Sequence, residues 1–331
     1  MNVRRLIPAT AVAGAVALGL VTLSACGGSS SAADKGTDGK LDVVASFYPM
    51  QYLAEQIGGG HVAVNTLTKP GVEPHDLELK PKQIGELGKA DVILYLKGIQ
   101  PAVDEAIAQA GVKNTIDAAT LTTLEAHGTE AGEGHDHGHE GEESHEGEES
   151  HDDHGSEAGT DPHIWLDPVK YAEVAKGVGT ALEKADPAHA ADYQANTAAL
   201  VEKLGALDTA FEKGLKNTET RTFITTHSAF GYLAERYHLE QEGISGMDPE
   251  SEPSPARIKE LQDIAKADKV TTVFFETLAS DKTAKTLAAD TGLKTDVLDP
   301  LEGITDQSKG DDYIEVMRAN LAALQKALGA K

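Results

Sequence analysis

Short runs of apolar and β-branched residues alternate along this chain with stretches whose apolar positions recur every three or four residues. Asp42–Phe47, Val62–Leu67, Asp91–Leu96 and Val112–Ile116 follow the first pattern and predict strands. Tyr48–Ile57, Pro81–Lys89 and Ala102–Ala110 follow the second and predict helices between them. After residue 218 the alternation restarts. Thr222–Thr226, Leu239–Ile244, Val270–Glu276 and Thr295–Leu298 predict strands, and Phe230–Tyr237, Pro255–Ala267, Asp281–Asp290 and Asp311–Leu328 predict helices. Strands that alternate with helices form parallel sheets, so two such sets predict two α/β lobes, each a parallel sheet flanked by helices. Between them Asp167–Asn217 has no strand pattern. One helix runs there from Asp167-Pro168 to about Lys184, and a second, long one begins at Asp186-Pro187, an N-cap followed by proline at the first helical position. Its Leu200, Leu204, Leu207, Phe211 and Leu215 make one continuous stripe, predicting a stiff connector between the lobes.

Two segments break this pattern. Arg4 and Arg5 precede the uncharged stretch Leu6–Ala25, which ends in Leu23-Ser24-Ala25-Cys26 and a Gly/Ser run. A basic start, an apolar middle and a small-residue exit mark a secretory signal. Cys26 is the only cysteine, so no internal disulfide is available. Leu-Ser-Ala-Cys resembles the bacterial lipobox, which implies lipidation of Cys26 and an extracytoplasmic protein anchored to the cell membrane through lipid. Two acyl chains hold far more firmly than one. The boundaries that follow are a signal peptide at 1–25, a flexible tether at 26–39, an N-terminal lobe at 40–185, a linking helix at 186–217 and a C-terminal lobe at 218–331.

The second segment, Glu125–Thr160, lies inside the N-terminal lobe and holds thirteen acids, seven of the thirteen histidines and no Lys or Arg. The histidines are His127, His135, His137, His139, His145, His151 and His154. So polar a stretch lacks the apolar surface to fold alone, and 126–159 is expected to be a disordered loop. Imidazoles and carboxylates bind divalent metals, zinc above all, so these residues are accessory, weak metal ligands. Acidity alone would account for a solubilising loop, but not for the histidines. The tract supplies much of a net charge of −25, which argues against nucleic-acid binding and suits a protein that handles cations.

Outside the tract, three histidines and an aspartate sit in unusual settings. His75 follows a strand, His163 lies in Asp161-Pro162-His163-Ile164-Trp165-Leu166-Asp167-Pro168, and His227 and Asp299 close strands. Ligands of parallel α/β sheets bind at the carboxyl ends of strands. Three imidazoles and one carboxylate complete a tetrahedral zinc shell. Each residue alone also reads as an ordinary turn, cap or strand-end group. His61, His189 and His238 read as surface or structural histidines.

Six motifs then occur in one order: Gly71-Val72-Glu73-Pro74-His75-Asp76, the 161–168 segment, Thr226-His227-Ser228-Ala229-Phe230-Gly231-Tyr232-Leu233, Glu252-Pro253-Ser254-Pro255, Phe274-Phe275-Glu276 and Leu298-Asp299-Pro300-Leu301. In this the chain resembles the zinc/manganese solute-binding proteins of bacterial ABC importers, the ZnuA/TroA/PsaA-like group. The resemblance covers nearly the whole chain after the signal. It implies a metal site in the cleft between the lobes, with His75, His163, His227 and Asp299 as ligands, Glu276 in support, and a membrane permease as partner. Zn2+ is then the transported ligand, and the expected state is a monomer. Manganese-binding relatives tend to carry glutamate where this chain has His227, and histidine favours zinc. Two alternatives are a manganese-binding homologue and a zinc-buffering, adhesin-like surface protein. A zinc hydrolase is disfavoured, because the chain has no HExxH and no Gly-x-Ser-x-Gly.

Overall fold

The computed structural model describes residues 39–127 and 160–331. The signal segment, the tether with Cys26, and six tract histidines (His135, His137, His139, His145, His151 and His154) lie outside the described residues.

The first sheet is built from β1 (Leu41–Ala45), β2 (Val62–Thr66), β3 (Val92–Tyr95) and β4 (Thr115–Asp117), and the second from β5 (Thr222–Thr225), β6 (Glu240–Gly243), β7 (Thr272–Phe275) and β8 (Lys294–Val297). Every pairing is parallel, in the orders β2-β1-β3-β4 and β6-β5-β7-β8. The two sheets therefore repeat one topology. In each, the first strand is flanked by the next two in sequence, and the connections diverge at its carboxyl end. That divergence opens the crevice where ligands of such sheets bind.

Helices α1 (Tyr48–Gly58), α2 (Pro81–Leu87) and α3 (Pro101–Ala110) serve the first sheet. Helices α6 (Gly231–Arg236), α7 (Pro255–Ala267), α8 (Lys282–Thr291) and α9 (Tyr313–Leu328) serve the second. Between the two sets run α4 (Pro168–Ala185) and the 26-residue α5 (Ala190–Leu215). The expected helix start at Asp186-Pro187 is instead a 3-10 turn, Pro187–His189, with α5 following directly. The apolar stripe of α5 is buried as its spacing predicts, with Tyr193 added. It packs on α4, α1 and α9, which belong to both halves.

One apolar core accordingly runs through both lobes, with a smaller cluster on the outer side of each sheet. Trp165 lies at its centre. Its ring meets Phe47 edge-on at 5.1 Å, its Nε1 donates to the Pro300 carbonyl at 2.7 Å, and its own carbonyl accepts from Tyr313 Oη at 2.5 Å. Asp167 fixes the start of α4. Its carboxylate accepts from Val169 N at 2.8 Å, and it takes Arg236 of α6 through Nε and Nη2 at 2.9 and 2.7 Å. One buried side chain thus caps a helix and ties it to the second lobe. Asp167→Ala is expected to destabilise the protein by about 2 kcal/mol, the upper end for a lost N-cap, since it also strands Arg236. A lower urea midpoint with an unchanged slope would register this.

Candidate metal centre

Four loops deliver the site residues. His75 comes from the loop after β2, and His163 from the turn before α4. His227 stands two residues beyond β5, and Glu302 five residues beyond β8. The Nε2 atoms of all three histidines lie 3.3 Å from one atom, Glu302 Oε1. The imidazole planes differ by 38° to 83°, so the rings converge from separate directions. His163, His227 and Glu302 are fully buried, whereas the His75 side chain keeps 13% exposure and forms the accessible edge. The Nε2 atoms of His163 and His227 make no well-directed hydrogen bond, and neither does Glu302 Oε2. Buried polar atoms without partners are costly, and a cation placed among them would satisfy all of them at once.

The distances fit zinc. Ligands held about 2.0–2.1 Å from a tetrahedral ion stand roughly 3.3 Å from one another. Two of the three imidazoles are also oriented from behind. His163 Nδ1 lies 2.7 Å from Asp161 Oδ1, and His227 Nδ1 lies 2.8 Å from Glu276 Oε1. Thr226 Oγ1 donates to the same Glu276 oxygen. Carboxylates behind histidines direct Nε2 toward the ion and make it a stronger donor.

Electrostatics bind the cluster together without metal. Burial by itself lowers the pKa of His163 and His227, but Asp161 and Glu302 at the one, and Glu276 and Glu302 at the other, outweigh it and raise both. Burial likewise opposes ionisation of Glu302, yet His227 and its neighbours hold it well below the usual carboxylate range. Close by, burial and the charge of Glu302 push the Glu73 carboxyl up to about 8.

The structure brings His75, His163 and His227 together as expected. The expected fourth ligand, Asp299, is not in the cluster, and the carboxylate there is that of Glu302. Asp299 is occupied otherwise: its oxygens accept from Leu301 N at 2.8 Å, Ser308 Oγ at 3.0 Å and Thr277 Oγ1 at 3.3 Å. Asn320 clamps its backbone from both sides, donating to its carbonyl at 2.7 Å and accepting from its N–H at 3.0 Å. Leu301 then takes a left-handed conformation, φ 59°, reversing the chain so that Glu302 enters the crevice. Asp299 therefore shapes the loop that presents Glu302. Glu276 has the supporting place expected of it. A cavity of about 700 Å3 is lined by Pro70, Gly71, Thr277, Leu278, residues 304–308, Gly310 and Asp311. His127 is outside the crevice, against Tyr232 and Asp161.

Paired parallel lobes, one long helix and a buried cluster of three histidines and a glutamate at the strand ends define the two-lobed solute-binding class built around a rigid helix. The model of the ZnuA family, zinc-uptake complex component A, matches residues 43–327. The chain belongs to that family. It is 37% identical over 323 residues to the high-affinity zinc uptake system protein ZnuA of Bacillus subtilis, covering 96% of this chain and 97% of that one. It is 36% identical over 298 residues to the zinc-binding lipoprotein AdcA of Streptococcus pneumoniae, covering 88% of this chain and 56% of AdcA. The chain thus spans only about half the length of the AdcA relatives it matches. Among solved structures, the Zn(II)-bound ZnuA-like domain of Streptococcus pneumoniae AdcA superposes with a TM-score of 0.69 at 33% identity, covering 88% of this chain and 99% of that one.

Proposed function

We propose that this protein is the extracytoplasmic receptor of a zinc importer, capturing Zn2+ in the crevice and passing it to a membrane permease. The observation that carries the reading is the set of three equal 3.3 Å distances from imidazole nitrogens, two of them fully buried, to one buried carboxylate oxygen. His75, His163, His227 and Glu302 are the proposed ligands, with Asp161 and Glu276 orienting two of them. Imidazole favours zinc over manganese, so three imidazoles with one carboxylate tip the reading toward zinc. Four protein ligands also leave no position for an activated water, so the reading is of a binding protein and not a hydrolase. Attachment through a lipidated Cys26, a monomeric state and a loop that gathers zinc weakly complete the proposal.

The test is metal titration in competition with a chromophoric chelator. One tight zinc site is expected in the full mature chain, with manganese bound far more weakly. His227→Ala should abolish the tight site. Affinity should also fall steeply from pH 7.5 to pH 5, because imidazoles coordinate only when neutral. Equal affinity at the two pH values, or a tight site surviving in His227→Ala, would overturn the assignment.

A further inference from the structure

Asp161 is engaged on both of its oxygens. Oδ1 faces His163 Nδ1 at 2.7 Å, and Oδ2 faces His127 Nδ1 at 3.1 Å. His163 directs its other nitrogen into the crevice. His127 directs its own toward a second group of acids: Nε2 lies 2.7 Å from Glu235 Oε2 and 3.8 Å from Glu125 Oε2. The arrangement of a buried carboxylate, an imidazole and a facing carboxylate is therefore built twice, with Asp161 common to both.

The surroundings hold His127 in place. Its ring meets Tyr232 edge-on at 4.5 Å, and Tyr232 Oη donates to the Asp161 carbonyl at 2.8 Å and accepts from Glu125 N at 2.8 Å. Gly231 gives the ring its space: a Cβ there would stand 2.3 Å from His127 Cβ and 2.9 Å from Asp161 Oδ2. Lys170 Nζ holds Glu125 Oε1 at 2.6 Å, leaving Oε2 on the side of His127. One ligand atom from each of Glu125, His127 and Glu235 falls within 4.8 Å of the others.

We propose that Glu125, His127 and Glu235 form a second divalent-metal site of the zinc class, outside the crevice and backed by the same Asp161 that orients His163. One imidazole and two carboxylates, with water completing the shell, is a donor set zinc accepts. The site is more exposed than the crevice, with the Glu235 side chain 60% exposed, and so binds more weakly and exchanges faster. It stands on its own geometry. Only its link to the crevice rests on reading the crevice as a zinc site. Through that link, loss of the Asp161 carboxylate weakens two sites that share no ligand, each by the roughly 10–100-fold typical of a lost outer partner.

The experiment is a zinc chloride titration of the full mature chain labelled with 15N-histidine, following each ring's nitrogen signals. The first equivalent is expected to move His75, His163 and His227. His127 should respond next, before the remaining tract histidines, with a metal-bound and not a protonated ring signature. Glu235→Gln should weaken the His127 response at least tenfold and leave the crevice signals unchanged. Asp161→Asn should weaken both. The proposal is overturned if His127 does not respond, responds together with the other tract histidines, or responds identically in Glu235→Gln. It is overturned in its link if Asp161→Asn alters one site alone. Response of His127 without response of the three crevice histidines would instead sink the crevice reading and leave this site standing.

Discussion

Glu302→Gln is expected to cost more zinc affinity than any change at Asp299. The crevice residues meet at a single Glu302 oxygen, so removing its charge takes away a ligand and leaves three imidazoles facing a neutral amide. The loss should exceed the roughly 10–100-fold expected when an outer partner is removed. Asp299→Asn keeps the shape of the loop anchor and loses part of its hydrogen bonding to Leu301, Ser308 and Thr277. Its effect should stay within that outer-partner range. Chelator competition on the two variants decides between them. If Asp299→Asn lost the tight site and Glu302→Gln kept it, the carboxylate assignment would be reversed.

The second large effect concerns pH and the metal-free protein. The folded-state pKa values of His163 and His227 are raised, so their contribution to stability is full below the unfolded histidine value and is lost as pH rises through the folded one. Glu73, with its carboxyl pushed up to about 8, acts in the same direction: its ionisation above the ordinary glutamate range costs the folded state more than the unfolded. Glu302, held low, opposes them only in acid, where its contribution is lost as pH falls through its folded value. The metal-free protein should therefore melt at a lower temperature at pH 8 than at pH 6. Zinc should reverse the trend, since a thousandfold excess over the dissociation constant stabilises by about 4 kcal/mol and binding strengthens as the imidazoles lose their protons. Thermal melts with and without zinc across this range provide the check. A zinc-induced shift as large at pH 6 as at pH 8 would contradict this account.

The residues differ in how plainly the sequence announces their roles. The histidines at 75, 163 and 227 were legible because each follows a strand or precedes a helix within a long ordered motif. The two parallel sheets and the stripe of α5 were legible from periodicity alone. The choice between Asp299 and Glu302 was not. Both lie in one loop three residues apart, and the left-handed turn at Leu301 that decides which of them enters the crevice leaves no mark in a leucine. Asp161 lies within a motif, yet its double duty depends on His127, 34 residues earlier across the tract. Nor does a local pattern show that α5 serves both lobes, because the stripe is the same whether it seals one core or two.

That shared core bears on how the chain can be divided. The seam at 186–217 invites the view of two modules joined by a linker. Yet Trp165 lies among Phe47 of the first lobe and Tyr313 and Pro300 of the second, and α5 is covered by helices of both. A fragment ending at the long helix would leave that indole and the face of α5 open to water, and its counterpart would lack the surface α9 rests on. Neither half is expected to fold alone as a separate module, so the two lobes should stand or fall together.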